Sequence, residues 1–167
     1  MTTSSLNLSS AATYLKPALF IGANIALPHL FHLIPGGGVM FLPIYFFTLC
    51  AALCYGWRMG VVTAVMTPVV GYLLFGVPML RLIPDMLLKG VMLALVATFL
   101  MAKNSRVPLL TPLLAVVLSW GLVGLAEWPF MGMAYAFQDF VTGLPGMLMM
   151  TLGGMVAIKL KERYERL

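Results

Sequence analysis

Long apolar runs, separated by short polar or glycine- and proline-containing connections, make up most of this chain of 167 residues. Most runs are long enough for a membrane-spanning helix, which needs about 20 apolar residues. They are continuous, unlike the alternating segments of about ten residues that build an outer-membrane barrel. The pattern predicts six helices, over about residues 14–34, 39–55, 59–75, 84–102, 109–127 and 144–160.

The connections contain the residues that usually end helices. PGGG at 35–38, YGWR at 55–58 and KNSRVP at 103–108 separate predicted helices, and Pro84 suits the first turn of the fourth helix. The segment 128–143 is predicted to be a long connection before the sixth helix, which is expected to begin near LPGM.

Composition supports an all-α membrane protein with six transmembrane helices. The chain is 62% hydrophobic and 9% charged, and its mean hydropathy is +1.02. The expected organisation is a tail over 1–13, a transmembrane domain over 14–160 and a basic tail over 161–167. Cys50 and Cys54 are expected to be reduced and packed in the interior.

Basic residues predict the orientation of the helices. With six helices both termini lie on one side, and the connections on that side carry nearly all the lysines and arginines. The basic residues on that side are Lys16, Arg58, Lys103, Arg106, Lys159, Lys161, Arg163 and Arg166. We therefore expect both termini in the cytoplasm. The net charge of +5 reflects this topology, and no nucleic-acid partner is expected.

Most of the acidic residues fall on the opposite, outer side, where a site for an external solute would be built. Arg81, Asp85 and Lys89 recur every four residues, about 6 Å apart along a helix axis. Ionisable groups in a membrane span usually face the bundle interior or a water-filled cavity. One interpretation is an internal ion pair with one base at the surface. The other is the wall of a solute site in which a surplus cation, best represented by Lys89, meets an anionic or strongly polar group of the solute, with a carboxylate or phosphate favoured.

Other candidate residues lie at the same outer ends. Glu127 ends the fifth helix, Asp139 precedes the sixth, and Trp128 and Tyr135 belong to the aromatic segment between them. That segment is either an interfacial aromatic belt or a lid whose rings stack on a planar solute. Gly37, in the first outer loop, would allow close approach to a ligand. His32 ends the first helix.

The chain has no clear pattern of a metal site or a catalytic site. His29 and His32 stand three residues apart, but no third ligand has diagnostic spacing. No nucleophile triad, no metalloprotease motif and no phosphate-binding loop is present in the sequence. No cofactor and no catalytic step are therefore expected.

Two stripes of small residues mark helix contacts. Ala18, Gly22 and Ala26 follow one face of the first helix, and the third helix carries Gly60, Ala64, Pro68 and Gly71 at similar spacing. Small residues allow close approach of helix backbones in lipid. The spacing fits contact within the fold or docking of another membrane subunit.

Two segments carry a resemblance to a known family. Residues 36–78 read GGGVMFLPIYFFTLCAALCYGWRMGVVTAVMTPVVGYLLFGVP, and residues 141–163 read VTGLPGMLMMTLGGMVAIKLKER. The chain resembles the substrate-binding S components of energy-coupling factor (ECF) transporters. In that family a glycine-rich outer loop leads into a Leu-Pro-containing second helix, and a T-G-x-P-G pattern opens the sixth. Thr142, Gly143, Pro145 and Gly146 match that pattern.

The resemblance implies a six-helix subunit in the cytoplasmic membrane of a bacterium. It would capture a small water-soluble vitamin or a similar compound and act with a transmembrane T component and two ABC-type ATPases. Ala18, Gly22 and Ala26 match the pattern by which the family contacts its T component. Lys89 departs from the family, which often has a carboxylate nearby, and Ser119 and Trp120 stand where many relatives have Gly-Arg.

Two other functions fit the sequence. One is a scaffold or assembly protein of the membrane, in which the small-residue stripes are the functional surfaces. The other is an intramembrane enzyme that uses Asp85, Glu127 or the histidines on a lipid-linked substrate. Binding of a small solute without turnover would distinguish the transport subunit from both.

Overall fold

The computed structural model describes residues 11–31, 41–103 and 108–165. Within these ranges the regular elements are six α-helices and three single turns of 3₁₀ helix, without a strand. The all-α prediction is therefore confirmed for the part of the chain described. The helices are α1 (Ala11–Phe31), α2 (Phe46–Tyr55), α3 (Trp57–Phe75), α4 (Ile83–Lys103), α5 (Thr111–Met131) and α6 (Met133–Glu165). The 3₁₀ turns Pro43–Tyr45, Leu80–Leu82 and Pro108–Leu110 precede α2, α4 and α5.

Four helical stretches in the described ranges are long and apolar enough to cross a membrane. They are Trp57–Phe75, Leu80–Lys103, Pro108–Met131 and Met133–Tyr164, and the shorter apolar stretch Pro43–Tyr55 accompanies them. Large apolar side chains such as Leu73, Phe99 and Leu148 are also exposed on the outside of the bundle. An apolar exterior around an apolar interior is compatible with a multi-pass membrane protein, because lipid can cover the exposed faces.

The segment after the fifth helix differs from the prediction. Residues 128–131 continue α5, and α6 begins at Met133, so most of the expected long connection is helical. The break between the two helices is the single residue Gly132, whose φ of 85° lies in the region that favours glycine. A tight corner thus replaces the expected loop, and the aromatic residues of this segment lie on helix surfaces.

The residues that indicated the start of the sixth helix lie well inside α6. Pro145 is an interior residue of this helix, a position that transmembrane helices tolerate. Gly143 and Gly146 are there because α6 passes close to Phe41 and Leu42, which precede the turn before α2. A Cβ atom on Gly146 would lie 2.5 Å from the carbonyl oxygen of Phe41, and one on Gly143 would lie 2.9 Å from Leu42. The glycines therefore serve helix packing and do not stop the helix.

The core is formed by buried side chains of α2, α4, α5 and α6, together with Tyr45 before α2. Its centre contains fully buried Leu49, Leu93 and Met150. The rings of Tyr45 and Trp120 meet edge to face, with centroids 5.4 Å apart and an angle of 87° between the planes. Cys50 is buried in this region, and neither cysteine forms a disulfide bond. The short α2 is thus the central element of the bundle, surrounded by the longer helices.

Helix α1 packs against α2 and α3 through one buried polar side chain. Asn24 Nδ2 donates hydrogen bonds to Thr48 Oγ1 (3.0 Å) and Thr67 Oγ1 (3.3 Å), and Asn24 Oδ1 accepts one from Phe47 N (2.9 Å). The Phe47 N–H belongs to the first turn of α2, where backbone donors have no intrahelical partner. Asn24 therefore supplies a hydrogen-bond acceptor to the first turn of α2 and links α1 to α2 and α3.

The two small-residue stripes have different surroundings. Gly60, Ala64, Pro68 and Gly71 on α3 are all buried, which makes this stripe an internal contact. Ala18, Gly22 and Ala26 on α1 are all exposed, and a Cβ atom on Gly22 would meet nothing within 4 Å. Contact within the described fold does not account for the α1 stripe, and docking of another subunit stays a prediction.

Replacing Asn24 with leucine is expected to destabilise the attachment of α1. The substitution keeps the approximate volume but leaves Phe47 N–H without its acceptor and removes two bonds to threonine hydroxyls. We expect a loss of about 1–3 kcal/mol in the free energy of unfolding, measured by thermal or denaturant unfolding in detergent.

Thr98→Ala is the control for Asn24→Leu, because the Thr98 hydroxyl bonds only to Ala94 O of its own helix among the hydrogen bonds described. We expect it to change stability by less than about 1 kcal/mol. Equal effects of the two substitutions would show that Asn24 does not join the helices.

Candidate functional site

A cavity of about 380 Å³ opens among the helix ends that carry the acidic residues. Its wall combines the C-terminal parts of α1 and α3, the turn before α2, the beginning of α4 and the beginning of α6. The alternating directions of successive helices bring these ends together. The volume falls within the lower part of the range of small-molecule pockets. This cavity is the candidate functional site.

One wall of the cavity contains a lysine surrounded by carboxylates. Lys89 Nζ donates a hydrogen bond to Asp85 Oδ2 at 2.9 Å and lies 2.8 Å from Asp85 Oδ1. It also lies 3.3 Å from Asp139 Oδ2 and 3.7 Å from Glu127 Oε1. The Lys89 side chain is only 4% exposed. We call Lys89, Asp85, Glu127 and Asp139 the charge cluster.

The cluster joins three helices. Asp85 and Lys89 stand one turn apart on α4, Glu127 comes from α5 and Asp139 from α6. A buried charge needs partners with good geometry, because desolvation is costly. The three carboxylates supply them to Lys89 and tie the beginnings of α4 and α6 to the end of α5. An internal ion pair of Asp85, with Lys89 or Arg81, is one of the two interpretations of the sequence. The structure has the pair with Lys89, as part of a larger group.

The members of the cluster differ in their access to the cavity. Asp85, Lys89 and Asp139 line it, whereas Glu127 does not. The side chains of Asp85 and Asp139 are 24% and 23% exposed, while that of Glu127 is 10% exposed. Tyr135, one turn before Asp139 on α6, is also a lining residue. Two carboxylates and a phenol hydroxyl thus accompany Lys89 on the cavity wall.

Two sequence candidates lie outside this site. Arg81 is exposed and does not line the cavity. The stripe with Asp85 and Lys89 is broken because Leu80–Leu82 is a 3₁₀ turn, whose tighter winding changes the direction of its side chains. Trp128 is 48% exposed on α5 and is likewise not a lining residue.

The aromatic segment contributes one ring to the cavity. Phe130 and Phe137 are 88% and 70% exposed, and Phe140 packs against the core. Only Tyr135 among these rings lines the cavity, so the arrangement fits an interfacial belt better than an aromatic lid. His32 and Gly37 lie outside the described residues.

Two cavity residues were not candidates in the sequence analysis. Asn24 and Thr67 both line the cavity, and Asn24 Nδ2 donates a hydrogen bond to Thr67 Oγ1. His29 also lines the cavity, and its Nδ1 lies 2.7 Å from Ile25 O. Asn24 could have been found as a polar side chain inside an apolar run, since such residues in membrane helices usually face the interior.

The remaining wall is mainly apolar. Ile25, Leu42, Ile44, Phe75 and Met86 are among its lining residues. An apolar wall with a few converging polar groups is typical of sites for small organic ligands. The arrangement therefore offers one polar side, formed by the cluster and Tyr135, and an apolar remainder.

A metal site is not supported by the described residues, among which no group of three or more His, Cys, Asp or Glu side chains could hold a metal ion. The cavity wall offers carboxylate acceptors and apolar contact to a bound molecule. Comparisons with models of protein families, with curated proteins and with solved structures found no match to this chain, so the geometry of the cavity carries the functional argument.

Proposed function

We propose that this chain is the solute-binding subunit of an ECF-type importer in a bacterial cytoplasmic membrane. The observation that carries the proposal is the cavity of about 380 Å³, with largely apolar walls and, on one side, buried Lys89 beside the partly exposed Asp85 and Asp139. Ionisable residues within membrane-spanning helices usually mark a pathway or a ligand site. In this proposal the chain captures a small water-soluble compound, such as a vitamin or a vitamin precursor, and does not transform it.

The charge distribution supports a cavity that faces the outside of the cell. At the opposite end of the bundle, Lys16 lies 5.2 Å from the ring of Tyr55, Arg58 lies 5.5 Å from Trp57, and Lys103 lies 5.8 Å from Phe99. Basic and aromatic side chains together are typical of a membrane interface, and basic residues favour the cytoplasmic side. The acidic cavity end would then be external.

The exposed stripe of α1 supports a membrane partner. Ala18, Gly22 and Ala26 present small side chains on the outside of the bundle, where a second helix could approach closely. In this proposal the partner is the T component, which links the chain to two ATPases. The same stripe would serve a scaffold protein, but that function gives no role to the cavity.

Filling the cavity is expected to abolish solute binding. Leu82 lines the cavity and is 39% exposed, whereas Leu88 on the adjoining helix is 40% exposed and does not line it. We expect a small molecule to co-purify with the wild-type chain and to be lost from Leu82→Trp, because the indole ring would occupy the cavity. Mass spectrometry of the denatured preparation, followed by titration with the identified compound, measures this loss.

Leu88→Trp is the matched control and is expected to retain the compound. Equal retention by the two variants would contradict the assignment of the cavity as the solute site. Turnover of the compound by the purified chain, lost in Asp85→Asn or Glu127→Gln, would instead favour an enzyme.

A further inference from the structure

We infer that the solute carries a protonated nitrogen or a similar cationic group, which binds beside Asp85 and Asp139. The inference rests on the proposed function and names the class of solute that the cavity would accept. It reverses the expectation from the sequence, in which Arg81 and Lys89 outnumber Asp85 and leave a surplus cation for an anionic or strongly polar group. In the structure Arg81 is exposed and outside the cavity.

The ammonium group of Lys89 already has carboxylate partners: it donates a hydrogen bond to Asp85 and lies within ion-pair distance of Asp139 and Glu127. An ammonium group has three donors and no acceptor, and Lys89 Nζ has three carboxylate partners, with Asp85 at 2.9 Å, Asp139 at 3.3 Å and Glu127 at 3.7 Å. An anionic solute would have to displace one of these carboxylates to reach the ammonium. It would also place a fourth acidic group beside three others, which electrostatic repulsion opposes.

The acceptors of the cluster are in excess. Each carboxylate has two oxygens and about four lone-pair sites, so three carboxylates accept far more hydrogen bonds than one ammonium can donate. Asp85 and Asp139 are the two that both line the cavity and keep partial exposure. A cationic group on the solute would supply the donors and the positive charge that this wall lacks.

The rest of the cavity indicates the remainder of the solute. Tyr45 and Tyr135 line it near the cluster, and aromatic faces attract cations. Beyond them the wall is formed largely by apolar side chains such as Leu42, Phe75 and Met86. At about 30 Å³ for each water, the volume corresponds to roughly a dozen water molecules. A compact molecule with one cationic end and an apolar body fits these features.

Three probes with one benzene body test the charge preference. They are phenethylamine, phenethyl alcohol and hydrocinnamate, titrated by calorimetry at neutral pH into the full-length chain in detergent. We expect the amine to bind at least about tenfold more tightly than the alcohol, and the carboxylate to bind most weakly. Asp139→Asn should weaken binding of the amine by roughly tenfold and leave that of the alcohol nearly unchanged.

Glu162→Gln is the control for Asp139→Asn, because it makes the same chemical change at the far end of α6. It should leave the affinities for all three probes unchanged. Binding of hydrocinnamate or the alcohol at least as tight as that of the amine would overturn the cationic inference. The same result would leave the proposed function standing if Leu82→Trp still abolished that binding.

Two other outcomes would also overturn the cationic inference. If none of the probes bound at millimolar concentration, the cationic inference would be overturned, and the compound retained by the wild-type chain would decide the proposed function separately. If the amine bound equally well to the wild-type chain and to Leu82→Trp, its binding would lie outside the cavity, and the inference would again be overturned.

Discussion

Lys89→Met is expected to be the most destabilising single substitution in the charge cluster. The methionine keeps much of the side-chain length but removes the positive charge that three carboxylates share. Removal of one partner from a buried ion pair typically costs about 3–5 kcal/mol, because the other charges are left uncompensated. Asp85 and Asp139 keep partial contact with solvent, so we expect a loss near the lower end of this range.

Thermal unfolding with a thiol-reactive fluorophore measures this effect. Cys50 is buried in the folded chain, so it becomes fully reactive only when the bundle opens. Lys103→Met is the control, since it removes an exposed lysine from the last turn of the same helix. The control should lower the midpoint only slightly, and a shift for Lys89→Met no larger than that of Lys103→Met would contradict the role of the cluster.

A second substitution separates charge imbalance from loss of packing. Glu127 is the least exposed carboxylate of the cluster, so its charge should be the most costly when Lys89 is absent. Lys89→Met combined with Glu127→Gln is therefore expected to recover part of the lost stability. Such non-additivity is the usual evidence of direct coupling between neighbouring groups. A purely additive result would show that the lysine acts through packing alone.

Much of the helical organisation could be predicted from the apolar pattern. The six helices follow in the expected order, and α3 and α4 begin within two residues of the predicted positions. Pro84 lies in the first turn of α4, as expected. These features are local, because an apolar run of helical length and its bounding turn residues are adjacent in sequence.

Gly132 and Pro145 show why the sixth helix was placed wrongly. Proline and glycine within a short stretch usually mark a helix boundary, but Pro145 lies inside α6 and its neighbouring glycines face Phe41 and Leu42. The sequence alone does not distinguish a glycine that allows close helix contact from a glycine that ends a helix. Only the partner element distinguishes them, and it is distant in sequence.

The net charge of the candidate site could not be predicted from α4 alone, because two of its carboxylates come from other helices. Lys89 and Asp85 are neighbours on one helix, so their pairing could be predicted from spacing. The carboxylates of Glu127 and Asp139 come from two other helices, and the exposed position of Arg81 follows from a local 3₁₀ turn. Counting the charges along α4 alone therefore predicted a surplus of positive charge in the site. In the structure, carboxylates from α4, α5 and α6 surround Lys89, so hydrogen-bond acceptors are in excess.

Gly60→Ala is expected to destabilise the bundle although alanine favours helices more than glycine does. A Cβ atom at this position would lie 2.7 Å from the Cβ of Ala52 and 2.8 Å from the Cβ of Ala94. Those atoms are fixed to the backbones of α2 and α4 and cannot rotate away, so the helices must separate. Overpacking of this kind costs about 1–3 kcal/mol.

Gly121→Ala isolates the packing cost of Gly60→Ala. Gly121 is also inside a helix, but a Cβ atom there would meet nothing within 4 Å. Both substitutions gain the same intrinsic preference for helix, about 1 kcal/mol, so only the contacts differ. We expect Gly121→Ala to keep or raise the unfolding midpoint and Gly60→Ala to lower it. Helix α2 is in contact with both α3 and α4 at the centre of the bundle. If Gly60→Ala were as stable as Gly121→Ala, these helices would not approach each other as closely as their stripe of small residues allows.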